Sequence, residues 1–138
     1  MKRLTIFLLM TLALAGGCAS GGEEQEKSPR MQKNDAIDDF IKVSELEPES
    51  RIRYTGQLQH EVITDDYIFI RDNRNTWLIV FAQTCYHVDG PIVEPDVRYD
   101  SRTLRSRFDT IRGCRIRDIY PVTDGMVQEI EALIRPYE

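Results

Sequence analysis

The stretch VITDDYIFIRDNRNTWLIVFAQT, from Val62 to Thr84, constrains the fold more than any other part of the chain. Two runs within it, Tyr67 to Arg71 and Thr76 to Ala82, are rich in β-branched and aromatic side chains, which suit a pleated, half-buried surface. Between them, Asp72-Asn73-Arg74-Asn75 offers side chains that tolerate or hydrogen-bond a bent backbone. The pattern predicts an antiparallel hairpin. Both of its faces are apolar, because Tyr67 and Phe69 alternate with Ile68 and Ile70, and Leu78 and Val80 with Trp77, Ile79 and Phe81. A strand sends successive side chains to opposite faces, so this hairpin must be covered on both sides, in the middle of a sheet or in a small closed barrel. The four aromatics Tyr67, Phe69, Trp77 and Phe81 fit a core better than a ligand groove.

The flanking sequence supplies candidates for that cover. TDGMVQEIEALIRP predicts a helix: Thr123 as N-cap, Met126, Val127, Ile130, Leu133 and Ile134 at helical spacing, and Pro136 just beyond. Arg115 to Tyr120 predicts a strand, with Ile116 and Asp118 facing opposite ways from Arg117 and Ile119. Gly113 before it permits a turn or bulge. Tyr86 to Ser106 predicts a long loop with one short strand near Val97 to Tyr99. DAIDDFIKVSEL, from Asp35, fits either a loose helical turn or a strand through FIKV. Pro48, Glu49 and Ser50 break the chain before RIRYTG. The expected fold is α+β: a small antiparallel sheet or partly closed barrel of four to six strands, with the C-terminal helix packed on it.

The N-terminal residues MKRLTIFLLMTLALAGGCAS have a basic start at Lys2 and Arg3, an uncharged apolar run from Leu4 to Ala15 and a small-residue exit, the three parts of a secretory signal. A run of 12 residues is shorter than the roughly 20 that a membrane span needs. Leu14-Ala15-Gly16-Gly17-Cys18 resembles the lipobox of bacterial lipoproteins. That resemblance implies diacylglycerol on Cys18, cleavage after Gly17 and acylation, typically with palmitate, of the freed amine. One acyl chain holds a protein to a membrane only marginally, whereas several hold it stably. With Ala19 and Ser20 after the cysteine, and no Asp, the outer membrane's periplasmic face is the expected location. Residues 19–34 are small, charged or amide-bearing, with Met31 their one large apolar side chain, a composition that predicts a disordered tether. The expected organisation is a signal peptide over 1–17, a lipidated tether over 18–34 and one domain over 35–138.

Lipidation of Cys18 leaves Cys85 and Cys114, an even number in an oxidising compartment, and a disulfide between them is the favoured reading. Two alternatives stay open. The arginines around Cys114 could make it a reactive thiol, with His60 or His87 as partner, although no Cys-x-x-Cys occurs. Cys85, His87, Cys114 and His60 could hold zinc, although Cys-x-His is an unusual spacing. No metal or cofactor is expected.

Charge is segregated along the chain. Residues 97–120 hold seven arginines against three aspartates, while residues 35–96 carry a net charge of −8. Arg98, Arg102, Arg105, Arg107, Arg112, Arg115 and Arg117 are therefore candidates for an anion-binding face, since guanidinium forks suit phosphate and carboxylate. The plainer reading is that they pair with acidic residues of the same domain. Nucleic acid does not fit a chain of net charge −5. The acidic pairs Asp38-Asp39 and Asp65-Asp66 do acid/base work only if a cleft pushes their pKa values apart.

The sequence TWLIVFAQTC, followed by VRYD, RFDTIRGCRI and IYPVTD, resembles an uncharacterised family of small proteobacterial envelope lipoproteins, known as a domain of unknown function. The resemblance spans about residues 37 to 133 and implies one folded unit in the envelope, without an assigned activity. The expected function is a non-enzymatic binding or structural role on the membrane, with an envelope protein or anionic molecule as partner. The alternatives are an envelope enzyme, hydrolytic or thiol redox, using Cys114 or a carboxylate pair, and a small-ligand carrier.

Overall fold

The computed structural model describes residues 26–86, 97–98 and 102–138, with the backbone alone described at 97 and 98. The order of elements is α1 (Pro29–Val43), β1 (Arg51–Arg53), β2 (Gln59–Thr64), β3 (Tyr67–Arg71), β4 (Thr76–Phe81), β5 (Val97–Arg98), β6 (Thr103–Arg105), β7 (Thr110–Ile111), β8 (Cys114–Val122) and α2 (Asp124–Ile134), closed by a single 3₁₀ turn over Arg135–Tyr137. The main sheet runs β2-β3-β4-β8-β7-β5, with every neighbouring pair antiparallel. It curls into half a barrel. β1 and β6 pair separately, also antiparallel. This is the α+β fold expected, with the terminal helix on the sheet.

The hairpin forms where predicted, in the register Ile68↔Ile79 and Ile70↔Trp77. Its turn is held by one side chain: Asp72 accepts hydrogen bonds from the Arg74 and Asn75 backbone N–H groups at 2.8 and 2.7 Å. The two apolar faces are covered differently. Tyr67, Phe69, Leu78 and Val80 meet Ile37, Phe40 and Ile41 of α1 and Val127, Ile130 and Ile134 of α2. Ile68, Ile70, Trp77, Ile79 and Phe81 meet Ile52 of β1, Leu104 of β6, Ile111 of β7 and Cys85.

α2 begins as expected, with the Thr123 hydroxyl accepting from Met126 N–H at 3.3 Å. α1 resolves the ambiguity of DAIDDFIKV in favour of helix and begins at Pro29, inside the stretch expected to be tether. Its start is built from Ser28, whose hydroxyl accepts from Met31 N–H, and from Pro29, whose missing N–H costs nothing at the first helical position. The polar composition that predicted disorder is the outer surface of a helix that buries only Ile37, Phe40 and Ile41.

β8 departs from simple alternation. Val80 pairs with Asp118 and Phe81 with Ile116, so Arg117 is an extra residue, a β-bulge. Ile116 and Ile119, expected on opposite faces, consequently lie in one cluster with the disulfide. The turn before β8 is Arg112-Gly113, with φ of +51° and +81°, in a two-residue hairpin between paired Ile111 and Cys114. Both central residues are left-handed, as the type I′ turn that best matches strand twist requires.

Candidate functional site

Cys85 and Cys114 are joined as a disulfide with Cα atoms 6.0 Å apart, within the ordinary range. Cys85 is buried, and its N–H donates to Asp65 O at 2.7 Å, which seats the bridge beside the β2–β3 turn. In this form Cys114 is no free thiol, and neither cysteine offers a thiolate to a metal. His60 lies on β2 opposite Ile70. His87 and Cys18, with the whole of 1–25, fall outside the described residues.

The acidic pairs separate. Asp38 accepts from the Tyr67 hydroxyl at 2.7 Å, while Asp39 is exposed and faces Lys42. Asp65 and Asp66 form the β2–β3 turn, where Asn34 of α1 donates to Asp66 at 2.6 Å and accepts from the Thr64 hydroxyl at 2.8 Å. Arg30 of α1 reaches Asp65 at 3.5 Å. Burial first, then the bond to Asp38, pushes the Tyr67 phenol well above its ordinary pKa. A buried phenol that is harder to ionise and donates to a carboxylate serves as a clamp for α1, not as a base.

The seven arginines of 97–120 are distributed over three strands and the turns between them. Arg105 caps the buried Asp109 with its backbone N–H at 2.7 Å and its guanidinium at 3.1 Å. Arg117, on the bulge, binds Asp118 at 2.8 Å. Burial alone would lower the Arg117 pKa, but the bond to Asp118 and the charges around it raise it. Both partners lie within the 97–120 block rather than in the acidic half of the domain. Arg112 occupies the type I′ turn, Arg102 and Arg107 stand at exposed left-handed positions, and Arg115 is exposed on β8. Arg98 lies on β5.

A different set of arginines converges. A cleft of about 550 Å³ opens between β1, the β3–β4 turn and the start of α2. Arg51 and Arg53 line it from β1 and Arg74 from the turn, above the apolar residues Ile52, Trp77 and Pro121. Among the described residues Glu49 and Asp124 are its only acidic lining residues, leaving one excess positive charge. Among the described residues no carboxylate is within ion-pair distance of Arg51, Arg53 or Arg74. The parts are tied together: Thr55, just after β1, donates to Asp72 through its N–H at 2.8 Å and its hydroxyl at 3.2 Å. The carboxylate that shapes the Arg74 turn thus also anchors the strand bearing Arg51 and Arg53. Sequence reading assigned these three arginines to the acidic half, because nothing in linear order unites positions 51, 53 and 74. The available signal was RIR, whose alternation turns both arginines to one side of a strand.

A disulfide-stapled α+β domain with a basic surface cleft is the class of protein defined by these features. Over residues 1–136 the chain matches the model of a family of unknown function (DUF6491), and it belongs to that family. No curated protein and no solved structure matches it.

Proposed function

We propose that this chain is a bacterial envelope lipoprotein of proteobacterial type: the leader 1–17 is removed, Cys18 carries diacylglycerol and palmitate, and the domain faces the periplasm from the outer membrane. Its role there is non-enzymatic binding or support within the envelope, through a protein or anionic partner. The observation that carries this reading is the allocation of cysteines. Two of the three are consumed by a core disulfide, a bond that persists in oxidising compartments outside the cytosol. The third stands in the lipobox-like LAGGC. The family match also extends across this N-terminal segment. A binding role draws support from a domain whose two cysteines are joined in its core and whose Asp38 and Asp66 are engaged with Tyr67 and Asn34.

Metabolic labelling with palmitate tests the proposal. The full chain expressed in a proteobacterial host should take up label, lose it on Cys18→Ala, and accumulate as precursor when lipoprotein signal peptidase is inhibited by globomycin. A label-free mature chain, processed normally in the presence of globomycin, would refute the anchor.

A further inference from the structure

We infer that the cleft between β1, the β3–β4 turn and the start of α2 is a binding site for a phosphate ester. Three guanidinium groups approach it from two separate elements, more than one carboxylate engages, and a phosphate presents three acceptor oxygens with a charge approaching −2. Arg51 and Arg53 leave β1 on the same side, because Ile52 between them points into the core. Arg74 arrives from a turn whose backbone is fixed by Asp72, so the backbone that carries it is set before any ligand arrives. Thr123 accepts from Met126 N–H, which leaves its hydroxyl proton for donation at the mouth of the cleft. Pro121 is the exposed apolar residue of the lining, with Ile52 and Trp77 buried beneath it, and it offers a surface for the organic part of an ester. The volume falls within the range of small-molecule sites.

The same chemistry is offered by a soluble phosphoester and by a phospholipid headgroup. This inference gives content to the binding role proposed above and does not depend on the lipid anchor, so palmitate labelling and ligand binding succeed or fail separately.

Trp77 is the only tryptophan in the chain and lies buried beneath the cleft, so a change in its fluorescence reports a change in the cleft's floor. The full chain, in phosphatidylcholine nanodiscs at constant ionic strength, is titrated with sn-glycerol 3-phosphate, with glycerol as blank, or prepared with increasing phosphatidic acid in the bilayer. A saturable change with glycerol 3-phosphate identifies a soluble ester, and a change with phosphatidic acid alone identifies a headgroup. Either should weaken by about tenfold or more in Arg51→Gln/Arg53→Gln/Arg74→Gln, while Arg107→Gln/Arg115→Gln, outside the cleft, should titrate as the parent. Glu49→Gln, which removes a repelling rim charge, should tighten binding by about twofold, and it decides the matter if the triple variant fails to fold. No saturable response to either probe, a triple variant that folds and titrates like the parent, or a Glu49→Gln variant that binds no better would overturn the assignment.

Discussion

The two faces of the central sheet are buried to a similar degree, yet they are covered by different means. On one, α1 and α2 each lay three buried apolar residues against Tyr67, Phe69, Leu78 and Val80. On the other, strands of two or three residues and a disulfide cover Ile68, Ile70, Ile79 and Phe81. A helix satisfies its backbone hydrogen bonds internally and needs only a matching stripe. A three-residue strand gains little by itself and depends on a partner far along the chain, as Ile52 depends on Leu104. Closing that longer loop costs more entropy, and the Cys85–Cys114 bridge offsets part of the cost. The cleft borders the second face, sharing Ile52 and Trp77 with its core.

Breaking the staple should have the largest effect. Cys85→Ser/Cys114→Ser closes no 29-residue separation and should cost about 3 to 4 kcal/mol on the chain-entropy model, measured by urea unfolding against the oxidised parent. Hydrogen exchange in the same variant sharpens the contrast: amides of β1 and β6 should lose protection before those of α2. Simultaneous loss in both would mean that the two faces open as one unit. Next comes Tyr67→Phe, which leaves Asp38 without its phenolic donor on the helical face. It should destabilise by about 1 to 3 kcal/mol, with exchange increasing first in α1; an unchanged urea midpoint would remove the clamp.

Thr123→Ala deletes the cap of α2 and should cost about 1 kcal/mol, with no change in β1 or β6 protection. The smallest effect concerns acid. Burial by itself would raise the Asp72 pKa, but hydrogen bonds from Arg74, Thr55 and Asn75 outweigh it and hold the carboxyl below its ordinary value of about 3.8. Its folded pKa is therefore the lower one, and its contribution is complete above the unfolded value and lost as pH falls through the folded value. Asp72→Asn should flatten that part of the stability profile below about pH 4. A profile identical to the parent would show that Asp72 does not fasten the cleft.

Much of the helical face was legible in linear sequence. Thr123, the spacing of Val127, Ile130 and Ile134, and the alternation through Tyr67 to Phe81 are local patterns, and each forms the predicted element. α1 was half legible, because three buried residues on an otherwise polar helix give a weak stripe. The stapled face was harder to read. The register of Ile52 with Leu104 joins segments about fifty positions apart, and one inserted residue at Arg117 moves Ile116 to the face of Ile119. Pairing of Cys85 with Cys114 followed from counting cysteines, since a bridge leaves few combinations. The candidate cleft was not legible as a site, because its arginines come from β1 and the β3–β4 turn, which only the fold brings together.

By itself the sequence determined that a two-faced hairpin must be covered on both sides, that a capped helix would follow the last strand, and that few pairings were open to its three cysteines. Periodicity, capping and cysteine number act within short range or on small counts. Only the tertiary structure decided which arginines meet. Arg51, Arg53 and Arg74 become neighbours because Thr55 bonds to Asp72 and β1 pairs with β6. Such contacts form only once the curled sheet has brought distant segments within hydrogen-bonding distance.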